Sequence, residues 1–148
     1  MFIFRMLQEE SRSQSWIDQH WRIVDENKKT SAEIAIYGDS IVKRFGEKGH
    51  LDVWEKDVGK DVVLFGIGGD RIEHLLWRII YGRIPQSVNM IIVHIGTNSI
   101  QHASAYDVAE GMVNICQKLH ERKRCADIIL TGILPGKDRP LWKVVSVL

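Results

Sequence analysis

Four short apolar runs recur along the chain, and a glycine follows each of them at once. In chain order they are residues 33–37, 61–65, 90–95 and 127–131. A continuous apolar segment that stops at a turn signal is typical of a strand buried on both faces of a parallel sheet. Amphipathic stretches with helical spacing separate the runs, at 71–81 and 105–121. The alternation predicts an α/β fold, a doubly wound parallel sheet with helices on both faces.

The first run ends in Gly38-Asp39-Ser40. In open α/β sheets the ligands bind beyond the carboxyl ends of the strands, so Ser40 stands where a nucleophile would stand. A helix that opens after Gly38 would give Ser40 the positive end of the helix dipole. Asp or Ser after a strand is more often a turn residue or a helix cap, so this tripeptide alone does not decide its role.

The second run leads into a glycine-rich loop, Gly66 to Asp70. Three glycines in four positions indicate a closely approached backbone or a positive φ. Their order does not match the Gly-x-Gly-x-x-Gly fingerprint of dinucleotide sites. One glycine N–H can instead donate to an oxyanion, and Asp70 is predicted to cap the helix 71–81. A phosphate-binding or nucleotide-binding loop is the last-ranked hypothesis, because Arg71 is the sole basic residue clustered with the loop.

The third run ends in Gly96-Thr97-Asn98. Asn98 caps the next turn or donates its side-chain amide to a developing oxyanion. In a parallel sheet all three polar clusters lie at one edge. A serine, a glycine N–H and an asparagine amide are the groups that acyl transfer needs, a nucleophile and donors for the tetrahedral intermediate.

The chain resembles the SGNH (GDSL-type) hydrolases, and among them the catalytic subunits of the intracellular type Ib platelet-activating factor acetylhydrolases. The resemblance runs from about Trp16 to Pro135. It is carried by these stretches: Trp16 with His20 and Arg22, Gly38-Asp39-Ser40, Phe65-Gly66-Ile67-Gly68-Gly69-Asp70, His74 with Leu76-Trp77-Arg78, Gly96-Thr97-Asn98, and Gly132-Ile133-Leu134-Pro135. It implies a flavodoxin-like fold. By this resemblance Ser40 is the nucleophile, and its own N–H, the Gly69 N–H and the Asn98 amide form the oxyanion hole.

The same resemblance implies a serine esterase for short acyl esters, such as the sn-2 acetyl group of platelet-activating factor-like phospholipids. It implies no cofactor and no metal. It also implies a cytoplasmic homodimer, or a heterodimer with a related subunit, that associates with a WD-repeat regulator of dynein. The alternative function is a non-catalytic dimerising or scaffold subunit that keeps the fold and the partner surface.

The family carries its general base and acid in an Asp-x-x-His motif after the fifth strand. No Asp of the 148 residues has a His three positions later. We therefore expect a truncated domain that lacks the last strand and helix, with impaired activity and an open hydrophobic edge at 127–131. Four histidines remain as candidate bases, provided that one reaches the nucleophile: His74, His94, His102 and His120.

Length and charge bound the remaining expectations. The 148 residues predict a single domain, 1–148, with a helical extension over 1–30 packed on it. A net charge of +1 gives no electrostatic case for nucleic acid or an anionic membrane as main partner. No apolar stretch approaches the length of a membrane span, and the first residues do not read as a signal peptide. Two cysteines without metal spacing favour reduced thiols in the cytoplasm.

Overall fold

The computed structural model describes residues 12–47 and 61–134. In this part of the chain, helices and strands alternate. In order they are α1 (Gln14–Asn27), β1 (Ile34–Gly38), α2 (Ser40–Phe45), β2 (Val62–Gly66), α3 (Ile72–Tyr81), β3 (Met90–His94), α4 (Ala105–Arg122) and β4 (Asp127–Leu130). The alternation predicted from the sequence is confirmed, with strand bounds that differ by a residue.

The described strands form one parallel sheet in the order β2-β1-β3-β4. This order corresponds to the first four strands of the flavodoxin-like arrangement, which confirms the predicted fold class. In the register of the sheet, Gly38 at the end of β1 lies beside Gly66 of β2 and His94 of β3. The loops that follow these three strands therefore meet at one edge.

Helices cover both faces of the sheet. On one face α3 and α4 bury the larger core, which includes Leu75, Ile91, Ile115 and Leu119, each with less than 2% of its surface exposed. On the other face Val42 of α2 packs over residues of β1 and β2. Burial of apolar side chains on both faces explains why residues 34–37 of β1 and 90–93 of β3 form continuous apolar runs instead of alternating.

The amino-terminal helix α1 packs through a single stripe. Ser13 accepts a hydrogen bond from the backbone N–H of Trp16, which caps the helix, and Trp16, His20 and Val24 are its buried residues. The predicted helical extension over 1–30 falls partly on residues 1–11, which lie outside the described residues. The division of the chain into an extension and a domain stays a prediction.

None of the described helices is both long enough and apolar enough to cross a membrane. Both cysteines are free; Cys116 is half-buried and Cys125 is exposed. Residues 12–47 and 61–134 contain no group of three or more His, Cys, Asp or Glu side chains that could hold a metal ion.

Candidate active site

Ser40 is the first residue of α2, directly beyond the carboxyl end of the central strand β1. The Asp39 carboxylate is buried and accepts a hydrogen bond of 2.9 Å from the N–H of Ile41, which caps the helix. Ser40 itself is half-buried. A Cβ at Gly38 would overlap the His94 carbonyl oxygen and come within 2.5 Å of Val42 Cγ2. The turn that presents Ser40 therefore requires glycine at position 38.

The glycine-rich loop after β2 lies against the nucleophile turn. The Ile67 N–H donates to the Gly38 carbonyl over 3.2 Å, and the Asp70 N–H closes a turn on the Ile67 carbonyl. A Cβ at Gly68 would stand 4.0 Å from Ser40 Cβ, so this backbone adjoins the serine. Gly69 adopts a φ of +75°, a left-handed conformation that glycine takes without strain.

Asn98 follows β3, and its side chain is anchored to the glycine-rich loop. Its Nδ2 donates to the carbonyl of Asp70 over 2.9 Å. A side-chain amide has two N–H donors, so one N–H of Asn98 remains for another acceptor. Ser99 makes a second link, because its hydroxyl accepts from the N–H of Ile72 at the start of α3.

Gly69 and Asn98 line a common cleft of about 410 Å³. Among the described residues, those that also line it are Arg12, Arg71, His74, Gln101 and His102. Ser40 is not among the lining residues and adjoins Gly68 instead. The structure thus places Gly69 and Asn98, which carry two of the three predicted oxyanion donors, at one cleft, and the predicted nucleophile lies next to the glycine loop that borders it.

The four candidate histidines differ in what they contact. His74 accepts from the Arg71 N–H over 2.9 Å and contacts the Arg12 guanidinium through the same Nδ1 atom. The Nδ1 of His94 lies 2.6 Å from the Thr131 hydroxyl. His102 and His120 are exposed. The hydrogen bonds described for His74 and His94 go to groups other than Ser40.

Asp70 does not cap α3, contrary to the prediction. The capping position belongs to Arg71, and the Asp70 carboxylate is turned inward and fully buried. One carboxylate oxygen accepts from Trp16 Nε1 over 2.7 Å, and the other lies 3.0 Å from Arg78 Nε. Burial raises the pKa of Asp70 to about 6, while Arg78 and the Trp16 N–H oppose that rise. The local pattern around Asp70 resembles a helix cap, so sequence reasoning missed this ion pair.

The chain is similar to subunits of platelet-activating factor acetylhydrolase IB. No protein-family model matches the chain. The chain is 32% identical over 127 residues to the alpha1 subunit of platelet-activating factor acetylhydrolase IB from Bos taurus, which covers 84% of this chain and 53% of the relative. It is 33% identical to the alpha2 subunit from Homo sapiens, with 84% and 54% covered. The chain thus spans about half the length of the curated relatives it matches.

Solved structures support the fold. A GDSL-like lipase from Bacteroides thetaiotaomicron superposes with a TM-score of 0.63 at 20% identity, covering 85% of this chain and 63% of that one. The esterase AlinE4, an SGNH-hydrolase family member, gives a TM-score of 0.56 at 24% identity, with 74% and 64% covered. At these identities the likeness concerns the fold alone.

Proposed function

Because this chain is homologous to the alpha subunits of platelet-activating factor acetylhydrolase IB and has the fold of the SGNH hydrolases, we propose that it carries the nucleophile and the oxyanion hole of a serine esterase. The proposed substrates are short acyl esters, and among them the sn-2 acetyl group of platelet-activating factor-like phospholipids. The catalytic nucleophile is Ser40. Its own N–H, the Gly69 N–H and the Asn98 amide are the proposed oxyanion donors.

One observation carries this proposal: the glycine loop adjoins Ser40, and the Asn98 amide is bonded to the same loop. Gly68 adjoins Ser40, and Gly69 follows in a left-handed conformation. The backbone carbonyl of Asp70 accepts the hydrogen bond from the Asn98 side chain. Fixed donors aimed at developing charge are worth about 3–4 kcal/mol each in enzymes in which one has been removed. Donors that are held by the fold need no rearrangement when the oxyanion forms.

The proposed reaction proceeds in two steps. The Ser40 oxygen attacks the ester carbonyl carbon, and the carbonyl oxygen becomes the oxyanion held by the three donors. When the tetrahedral intermediate collapses, the bond to the alcohol oxygen breaks, the leaving alkoxide takes up the proton that the Ser40 hydroxyl gave up, and an acyl-serine remains. Water then attacks the acyl-serine, releases the carboxylic acid and restores the Ser40 hydroxyl.

We propose that these 148 residues turn esters over poorly. Both steps need a base that takes the proton from serine or water, and the sequence contains no Asp-x-x-His. An oxyanion hole and substrate binding alone retain about 10³–10⁴-fold rate enhancement over water in proteases whose triad is disabled. Slow turnover that depends on Ser40 is therefore the expected behaviour.

The test is labelling of Ser40 by a fluorophosphonate probe, with the labelled residue identified by mass spectrometry. Hydrolysis of 4-nitrophenyl acetate is measured on the same proteins. We expect labelling of the wild-type chain, loss of that labelling in Ser40→Ala, and no loss in Ser31→Ala, which removes an exposed serine far from the edge. Labelling that persists in Ser40→Ala would overturn the assignment of the nucleophile. Rapid acetyl-ester turnover would overturn the expectation of impaired activity.

A non-catalytic dimerising or scaffold subunit is the second candidate. It is favoured by His94, the candidate base that lies beside Gly38 in the sheet, whose Nδ1 lies 2.6 Å from the Thr131 hydroxyl. A folded protein without any labelling of Ser40 would support it. In either case we propose a cytoplasmic protein that forms a homodimer, or a heterodimer with a related subunit, and binds a WD-repeat regulator of dynein.

A further inference from the structure

A buried ion pair lies behind the edge that carries the proposed site. Arg78 of α3 and Asp70 of the glycine loop have side chains that are 2% and 0% exposed, with Nε and Oδ2 separated by 3.0 Å. Charges are rarely buried unless they are paired and hydrogen-bonded, and replacement of such a pair by apolar residues is often neutral or stabilising. Stability alone is thus a weak reason for this pair.

The Arg78 guanidinium binds the backbone at the ends of the two strands that lead into the site. Both terminal nitrogens donate to the carbonyl of Phe65 in β2, over 3.0 and 2.8 Å. One of them also donates to the carbonyl of Gly38 in β1, over 3.2 Å. Gly38 lies two residues before Ser40, and Phe65 lies three residues before Gly68. A single rigid fork therefore spans the point where the two loops leave the sheet.

Asp70 connects the same pair to the proposed oxyanion donors. Its carboxylate is held by Trp16 Nε1, and its backbone carbonyl accepts from the Asn98 amide. Arg12 donates to the neighbouring Gly69 carbonyl over 3.1 Å. Two of the three proposed donors are therefore fixed to, or next to, the residue that pairs with Arg78.

We propose that the Arg78–Asp70 ion pair is a positioning pair, which sets the distance between the Ser40 turn and the Gly69 and Asn98 donors by binding the carbonyls at the ends of β1 and β2. This inference rests on the proposed function for its catalytic consequence. Neither residue touches the reacting atoms. Misplacement of a reacting group by about 1 Å can cost about 100-fold in rate, so the pair acts through geometry.

The first test compares two arginines that both hold carbonyl groups. Arg122 of α4 donates to the carbonyls of Ile79, Ile80 and Gly82 at the carboxyl end of α3, whereas the glycine loop precedes the amino end of that helix. Arg78→Lys keeps the charge beside Asp70 but loses the planar fork, and Arg122→Lys makes the same change at the control position. We expect labelling of Ser40, per folded molecule, to slow by about 10- to 100-fold in Arg78→Lys and by less than about 2-fold in Arg122→Lys. Equal rates in both variants would overturn the proposal.

A readout that does not need activity separates this inference from the proposed function. In ¹H–¹⁵N spectra, Arg78→Lys is expected to shift the backbone amides of Ser40 and Gly69 and the side-chain amide of Asn98, whereas Arg122→Lys leaves them in place. If the wild type is never labelled but these shifts appear, the serine esterase fails and the positioning pair stands. If these signals stay unchanged in a folded Arg78→Lys protein, the positioning pair fails.

The pH profile gives a third test through Asp70→Asn, which also serves if Arg78→Lys does not fold. Within residues 12–47 and 61–134, the groups that face the Asp70 carboxylate are Arg78 of α3, Trp16 of α1 with Arg12 before it, and Asp39 after β1. Because burial raises the pKa of Asp70 to about 6, the carboxyl is protonated below that pH and Arg78 loses its counter-charge. Labelling of the wild type is expected to rise with pH through about 6 relative to Asp70→Asn.

The pH dependence of the free energy of unfolding has the opposite sign to the expected pH dependence of labelling. If Asp70 affected labelling only through stability, the two would have the same sign. A carboxyl whose pKa is raised on folding binds its proton more tightly in the folded state, so its contribution to the free energy of unfolding falls as pH rises from about 4 to 6. Burial lowers the pKa of His20 to about 4 and gives a contribution of the other sign over this range. The difference between wild type and Asp70→Asn therefore isolates Asp70. Labelling that follows stability with the same sign would refute the positioning role.

Discussion

Strands β1 and β4 are similar apolar segments in very different surroundings. β1 pairs with β2 on one side and β3 on the other, and Ala35 to Gly38 are buried. β4 pairs with β3, forms an edge of the described sheet, and exposes Ile129 and Leu130. The enclosed strand is the one that presents Ser40. A site that needs fixed distances is built where the backbone is held from both sides.

A row of isoleucine side chains across one face of the sheet shows how solvent exposure increases from β1 to β4. Ile36 of β1 lies beside Ile92 of β3, which lies beside Ile129 of β4. The exposed fraction rises from 9% at Ile36 to 44% at Ile129. Isoleucines at equivalent positions of β1 and β4 therefore contribute different amounts to the free energy of unfolding, because hydrophobic stabilisation follows the apolar area removed from water.

The largest difference in the free energy of unfolding between the two strands is expected from matched glycine substitutions at their carboxyl ends. Gly38→Ala forces a Cβ into the His94 carbonyl oxygen, whereas a Cβ at Gly132, just after β4, meets nothing within 4 Å. Because backbone cannot move aside cheaply, we expect Gly38→Ala to lower the free energy of unfolding by about 3 kcal/mol or more. Gly132→Ala should stay within about 0.5 kcal/mol. Urea denaturation measures both, and equal losses would contradict the comparison.

A smaller difference in the free energy of unfolding is expected when isoleucine side chains of this row are replaced by alanine. Ile36→Ala should cost about 2–3 kcal/mol, since it removes a buried side chain and leaves a cavity. Ile129→Ala should cost less than about 1 kcal/mol, because much of the side chain already contacts water. Denaturation midpoints at unchanged slope would report the two losses. A cost at Ile129 as large as that at Ile36 would mean that another surface covers β4.

The strands and their order could be predicted because local patterns encode them. Apolar runs that end in glycine mark β1 to β4, and right-handed crossovers restrict how such units are arranged. The convergence of Ser40, the glycine loop and Asn98 follows from that topology. Their catalytic roles stay predictions.

The ion pair behind the site could not be predicted in the same way. Asp70 directly before a helix has the pattern of a cap, and its partner Trp16 is 54 positions away in the chain. Nothing local distinguishes a carboxylate that faces water from one that is turned inward to meet Arg78. How far β4 is exposed also depends on which strands lie beside it and not on its own pattern. The open edge expected at 127–131 nevertheless agrees with the exposed Ile129 and Leu130.

The finest difference between the two strands should appear in amide exchange. In β4 the N–H groups of Asp127 and Thr131 donate to the carbonyls of Asn89 and Val93. Because strand amides alternate in direction, those of Ile128 and Leu130 point away from β3. We expect these two to exchange rapidly in hydrogen–deuterium NMR, whereas successive amides of β1 are all protected by a strand on either side. Slow exchange at Leu130 would show that a further segment pairs with β4, and this edge would then be as enclosed as the strand that carries Ser40.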